Sequence, residues 1–304
     1  HRIRNPAFDN LAPMSKETLV QSASDSVLRA ISDDGTFRVI TARTTDTVRG
    51  AVQAQKVAGT TAVPFGDLIT GTILLRETMA PQLRVQGIVK GTGHRGTLVA
   101  DSHPGGATRG LVQLPKDAPE IHLAGGHLQM MRTLHDGRLQ QGIVEIPSHS
   151  SGISEGVMRY MQESEQITCV VSVGTLVHGD KILEAGGYVV QLLPEIDESM
   201  LAVMTARLSE FPTIEAFLSE EAFSPQWLLD ELLYRMPYTQ TEQSSVRFEC
   251  NCSQVRVIAS LATLRPEDIQ GLVNEGGPLD ISCDFCGKEY QIAPEQLRGL
   301  LRSN

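Results

Sequence analysis

Four of the five cysteines in this 304-residue chain form two tight pairs, Cys250-Asn251-Cys252 and Cys283-Asp284-Phe285-Cys286. A tetrahedral zinc site needs four soft ligands about 2.3 Å from one ion, delivered by two short chelating turns. A C-x-x-C turn brings two thiolates to one point, and Gly287 lets the chain fold back tightly behind it. The C-x-C pair is closer than the usual spacing of structural zinc fingers, which suggests a site whose bonds are meant to break. No histidine follows His178, so the expected ligand set is Cys250, Cys252, Cys283 and Cys286, holding one Zn2+.

Around these pairs, residues 246–304 read as a small domain. Helices are expected over Ser253–Ala262, Pro266–Asn274 and Pro294–Leu301, with short strands Leu279–Ser282 and Lys288–Ile292 flanking the C-x-x-C. So small a unit with so few large apolar side chains buries too little surface to fold securely alone. Zinc on four thiolates supplies an apparent ~10–16 kcal/mol of folding free energy, so metal loss should unfold it.

Residues 195–245 differ in kind, with 10 acidic and 2 basic side chains. Asp197, Thr213 and Ser224 are candidate N-caps for three short amphipathic helices, the last with Pro225 at its first position. Helices this short are marginal in isolation and persist only by docking their apolar stripes on a neighbour. The segment reads either as an ordinary helical linker or as a metastable one.

Residues 14–194 alternate strands and helices. A hairpin is expected over 25–45 around Asp33-Asp34-Gly35, then a helical region over 44–75 interrupted at Pro64, then strands over 82–115, 127–134, 140–146, 167–177 and 187–193, with a helix at 152–163. The fold class is therefore α+β: a large, mostly antiparallel sheet core with helices, a helical linker and a small C-terminal zinc-binding domain. Residues 1–13 precede Met14-Ser15-Lys16 and read as a tag or upstream remnant.

Three other motifs carry less. Gly91-Thr92-Gly93-His94-Arg95-Gly96 matches G-x-G-x-x-G, but a strand pattern follows it where a dinucleotide site needs a helix. Ser148-His149-Ser150 and Asp101-Ser102-His103 contain triad residue types, yet adjacent strand residues point to opposite faces, and both read as loop polars. Cys169, in Ile167-Thr168-Cys169-Val170-Val171, reads as an inert buried thiol. No enzyme is expected.

The formal net charge is −10, and residues 1–194 balance at zero, so no basic face offers itself to nucleic acid. No apolar run reaches the roughly 18 residues of a membrane span, and no signal peptide is apparent. Clustered metal-spaced cysteines point to a reducing compartment, the cytoplasm. The four-cysteine pattern alone leaves three uses open: a constitutive zinc-stabilised interaction module, a dithiol enzyme, or a redox switch. A thioredoxin-like C-x-x-C should open a helix, whereas Cys286 is followed by Gly287-Lys288 and a strand.

From about Lys16 to Leu301 the sequence resembles the heat shock protein 33 family of redox-regulated holdase chaperones. The resemblance rests on the two cysteine pairs, on Tyr160-Met161-Gln162-Glu163-Ser164-Glu165-Gln166, on Gly186-Gly187-Tyr188-Val189-Val190-Gln191-Leu192-Leu193-Pro194, and on Arg109-Gly110. It implies zinc held by Cys250, Cys252, Cys283 and Cys286 in an inactive reduced form. It further implies that oxidation joins Cys250 to Cys252 and Cys283 to Cys286, releases zinc and unfolds the 195–245 linker. Exposed surface then holds unfolding client proteins without ATP, and the activated form tends to be a homodimer. Client contacts are expected on the linker stripe Met200, Leu201, Met204, Phe217, Trp227 and Leu228.

Overall fold

The computed structural model describes residues 24–302 apart from Ala80, Pro119 and residues 148–151. Residues 1–13 and Ser148-His149-Ser150 lie outside the described residues. The opening hairpin forms as expected from β1 (Ser26–Ser32) and β2 (Phe37–Arg43). Gly35 supplies a positive φ of 77° in the turn, and the Asp34 carboxylate accepts hydrogen bonds from the Ser32 hydroxyl and the Thr36 N–H. Two helices follow, α1 (Thr45–Gln55) and α2 (Ala62–Met79). The break between them falls at Lys56, which is left-handed with φ 51°. It does not fall at Pro64, which sits in the first turn of α2, where its missing N–H has no helical partner to lose.

The chain continues through β3 (Val85–Lys90), β4 (Thr97–Ser102), β5 (Ala107–Gln113), β6 (His127–Thr133) and β7 (Leu139–Glu145), then α3 (Ile153–Glu165), β8 (Cys169–His178) and β9 (Lys181–Leu192). The glycine-rich motif at 91–96 is a short 3-10 turn joining β3 to β4, not a phosphate loop. The α+β class and the mostly antiparallel pairing hold, but the strands divide between two sheets. The first has the order β10-β1-β2-β9-β8 and the second β11-β5-β4-β3-β6-β7. Helix α2 packs between them, touching β2, β8 and β9 on one side and β3, β4 and β5 on the other. Its side chains are buried nearly all round, as a helix enclosed by two sheets requires.

The 195–245 segment forms α4 (Glu198–Glu210), α5 (Ile214–Leu218) and α6 (Pro225–Leu232), but it is not helical throughout. Its last residues make β10 (Tyr238–Ser245), an antiparallel edge strand beside β1. Asp197 caps α4 through the N–H groups of Ser199 and Met200, and Ser224 caps α6 through that of Trp227. Thr213 precedes α5 without a side-chain cap bond.

These helices lie on the face of the first sheet opposite α2. Along β1, β2 and β9, Val27, Ile40 and Val189 point into the α2 core, while Leu28, Val39, Tyr188 and Val190 point into a second cluster closed by α4–α6. A sheet covered on both faces needs apolar residues at successive positions, which is why β9 reads Tyr188-Val189-Val190 without alternation. Two glycines admit the helices closely. A Cβ on Gly186 would come 2.8 Å from the Phe223 ring, and one on Gly174 would come 2.8 Å from Ile214.

Beyond β10, β11 (Arg247–Phe248) pairs in parallel with the start of β5. The last unit holds α7 (Gln254–Leu261), α8 (Pro266–Asn274), the hairpin β12 (Leu279–Ser282) and β13 (Glu289–Ile292), and α9 (Pro294–Arg302), close to the expected boundaries. Its buried apolar set is small: Leu261, Ile269, Ile292 and Leu297.

Candidate metal centre

The two cysteine pairs reach one another by different routes. Phe248 of β11 sits over Gly50 of α1, where a Cβ would lie only 2.5 Å from the Phe248 Cβ. The C-x-C pair therefore leaves directly from a strand seated on the core. The C-x-x-C pair caps the β12–β13 hairpin: the Cys286 and Gly287 N–H groups both donate to the Cys283 carbonyl, and Gly287 takes φ 68°.

All four sulfurs lie within 4.8 Å of one another. Cys250 Sγ is 3.8 Å from Cys283 Sγ, and Cys252 Sγ is 3.4 Å from Cys286 Sγ. Four thiolates about 2.3 Å from a single ion stand at tetrahedron corners about 3.8 Å apart. The donor set and its spacing fit zinc, and the four cysteines named from the sequence are the four that meet. Both of these close contacts join one pair to the other, so a cation here ties the C-terminal hairpin to the core-mounted strand.

The surroundings tune the thiols unequally. Burial pushes Cys252 up, but the Tyr290 hydroxyl, 3.0 Å from its sulfur, and the neighbouring thiols bring it down to about 7. Burial and the neighbouring thiols push Cys286 up to about 12, and burial raises Cys283. Arg109 Nη1 lies 3.4 Å from Cys250 Sγ, and its guanidinium carbon is 4.0 Å from the centre of the Phe285 ring.

His103 lies in the loop after β4, as expected, but Asp101 is not a loop polar. Asp101 lies on β4 with no solvent exposure, binds Arg84 through both oxygens, and accepts from Arg109 and from His103 Nε2 at 3.1 Å. Burial alone would raise its carboxyl, but the hydrogen bonds from His103 and Arg84 and the Arg84 charge hold it well below the usual range. Ser102 points away, to Thr108 Oγ1 at 2.9 Å, so no nucleophile joins the pair. Cys169 stands apart, half-buried at the start of β8, with burial pushing its thiol up to about 12.

The six linker residues all face the first sheet. Met204, Phe217 and Leu228 are buried, and Met200, Leu201 and Trp227 are half-buried against the same cluster. Among the described residues, no helix is long and apolar enough to cross a membrane. Sequence reading missed the roles of Gln55, Asp101, Arg109 and Tyr290. They come from separate elements, and no spacing within the chain announces their meeting.

Comparison with known proteins agrees with this architecture. A family model described as Hsp33 protein matches residues 25–293. The chain is 30% identical to a 33 kDa chaperonin of Shouchella clausii, covering 91% of this chain and 97% of that protein. It is 27% identical to a 33 kDa chaperonin of Latilactobacillus sakei, covering 91% and 98%. The crystal structure of a 33 kDa chaperonin, a heat shock protein 33 homologue from Thermotoga maritima, superposes with a TM-score of 0.77. That match covers 92% of this chain and 99% of the other at 23% identity, and establishes likeness of fold.

Proposed function

The chain belongs to the Hsp33 family, and from that premise we propose that it is a redox-controlled, ATP-independent holdase chaperone. In the reduced form Cys250, Cys252, Cys283 and Cys286 hold one Zn2+ and the client-binding surface is covered. The observation that carries this reading is the doubly buried first sheet. One of its faces, with Leu28, Phe37, Val39, Tyr188 and Val190, is covered by the segment that carries α4–α6, and that segment continues through β10 and β11 to the thiols.

Zinc on four thiolates supplies ~10–16 kcal/mol of apparent folding free energy to a module whose own core is small. A peroxide removes two electrons from each cysteine pair. Its O–O bond breaks, its oxygens leave as two waters after taking two protons from solvent, one S–S bond forms per peroxide, and the metal would leave as Zn2+. We assign the products as Cys250–Cys252 and Cys283–Cys286. Disulfides no longer serve as a four-thiolate ligand set, so the module loses its stabilisation. The short acidic helices, joined to the module through β10 and β11, then leave the sheet. Opening uncovers both the sheet face and the stripe Met200, Leu201, Met204, Phe217, Trp227 and Leu228, which bind unfolding proteins. The same surface favours a homodimer of the open form.

On this reading residues 14–194 are the core, 195–245 the switch segment and 246–304 the redox domain, working in the cytoplasm by binding rather than catalysis. The test is client aggregation followed by light scattering, with reduced zinc-loaded protein and with peroxide-treated protein. Suppression should appear after oxidation. Equal suppression before and after would leave a constitutive zinc-stabilised interaction module.

A further inference from the structure

Asp101 has no exposed surface, so its charge must be met by fixed partners. Arg109 spends Nε and Nη2 on it, each 3.0 Å from Oδ2, which locks the guanidinium in one orientation. What remains of that group points out of the core. Nη1 meets Cys250, and the planar face meets the ring of Phe285, which lies between Cys283 and Cys286. One core side chain thus touches both cysteine pairs.

Gln55, the last residue of α1, makes a parallel connection. Its Oε1 accepts from the Val112 N–H of β5 at 3.0 Å, which fixes the amide. Its Nε2 donates to the carbonyls of Asp284 and Phe285 at 2.7 and 2.9 Å. Those two carbonyls point the same way only because the 283–287 turn is wound back on the Cys283 carbonyl. The contact reads the shape of the turn, not merely its presence.

We propose that Arg109 and Gln55 are positioning residues that latch the Cys283–Cys286 turn to the core, with Phe285 as the keeper. The C-terminal hairpin is then tied to the core in two ways, through the thiol cluster to the β11 strand seated on it and through this latch. Rewinding the turn withdraws the carbonyls from Gln55 and the ring from Arg109 together. The regulatory use of the latch rests on the switch proposed above, but the latch itself is measurable without oxidant or client.

The experiment uses the reduced, zinc-loaded full chain. Zinc transfer to a chromophoric chelator and amide hydrogen exchange over residues 283–288 are measured in Phe285→Leu, Phe285→Tyr, Gln55→Glu, Arg109→Met and the Arg109→Met/Phe285→Leu pair. Phe285→Leu keeps apolar bulk but loses the aromatic face, and should speed zinc transfer about 2- to 30-fold. Gln55→Glu keeps the shape but cannot donate to the carbonyls, and should also speed transfer and exchange. Phe285→Tyr restores the face and should stay within about twofold of the parent. The double variant should be no faster than Arg109→Met alone, because the two residues make one contact. Parental transfer and exchange in both Phe285→Leu and Gln55→Glu would overturn the proposal, as would full additivity in the double variant. Should Arg109→Met fail to fold, with Asp101 left short of a partner, the variants at half-buried Phe285 and Gln55 still decide. A latch that passes in a chain with no oxidant-dependent holding would refute the switch alone.

Discussion

Leu228 offers the most direct measure of how tightly the switch segment is held. It has no exposed surface, lies on α6 above β1 and β2, and belongs to the cluster that the helices alone close. Thr41 Oγ1 donates to the Pro225 carbonyl at 2.8 Å in the same contact, so α6 is pinned and cannot slide to fill a void. Leu→Ala at such a site costs about 2–5 kcal/mol. On the proposed switch α4–α6 leave the sheet without unfolding the α2 core, so that cost would fall on docking. At about 1.4 kcal/mol per decade, a loss near 3 kcal/mol raises the undocked population on the order of 100-fold. The segment's basic residues, Arg207 and Arg235, supply the assay as trypsin sites. In the docked form Arg207 donates to the carbonyls of Leu232 and Tyr234, so cleavage there reports opening. Reduced, zinc-loaded Leu228→Ala should be cut at Arg207 about 100-fold faster than the parent, in the regime where cleavage follows the open population. Val203→Ala, on the exposed side of α4, should change little. A Leu228→Ala chain cut at the parental rate would show that the helices are not held by this cluster, and the reasoning would fail.

Gly50→Ala places a Cβ about 2.5 Å from the Phe248 Cβ, an atom that cannot swing aside. It should lift β11, loosen the C-x-C mount and speed zinc loss to a chelator while leaving the thiols intact. Complete oxidation by peroxide should consume four thiols per chain and spare Cys169, whose burial keeps it protonated; mass mapping after alkylation checks this, and loss of all five would refute it. Asp67 is raised to about 8, chiefly by burial, against a hydrogen bond from Thr175 and with Glu215 of α5 adding to the rise. A carboxyl raised in the folded state contributes no penalty below its unfolded value of 3.8, and its stability cost grows as pH rises toward 8. Asp67→Asn should therefore leave the melting temperature unchanged near pH 4 and raise it progressively between pH 4 and 8.

The parts of this molecule that were legible in the sequence are those set by local rules. Caps at Asp197 and Ser224, the glycine turn at 91–96, the two cysteine pairs and the C-terminal helices all follow from spacing within a few residues. What was not legible depends on where the chain comes back. The 238–245 stretch, Tyr-Thr-Gln-Thr-Glu-Gln-Ser-Ser, carries almost no apolar signal, and it is a strand because β1 offers an open edge. The division into two sheets was hidden for a related reason: α2 is buried nearly all round and has no single apolar stripe that a period of 3.6 residues could resolve into a face. Asp101 looked like a loop polar because the cations that justify burying its carboxylate, Arg84 just before β3 and Arg109 on β5, come from elsewhere in the chain.

Strand order has one more consequence. The connection that carries α4–α6 covers residues 193–237, leaving from β9 and returning at β10, and those two strands are separated in the sheet by β1 and β2. If both strands stay paired, the released segment is a loop moored at two points a few strand spacings apart, not a dangling arm. Its reach is bounded, and closing it again is a unimolecular event whose entropic cost grows only slowly with loop length. A bound client would then compete with a tethered rival present at high effective concentration. On the proposed switch, the moored loop would build a return spring into the fold.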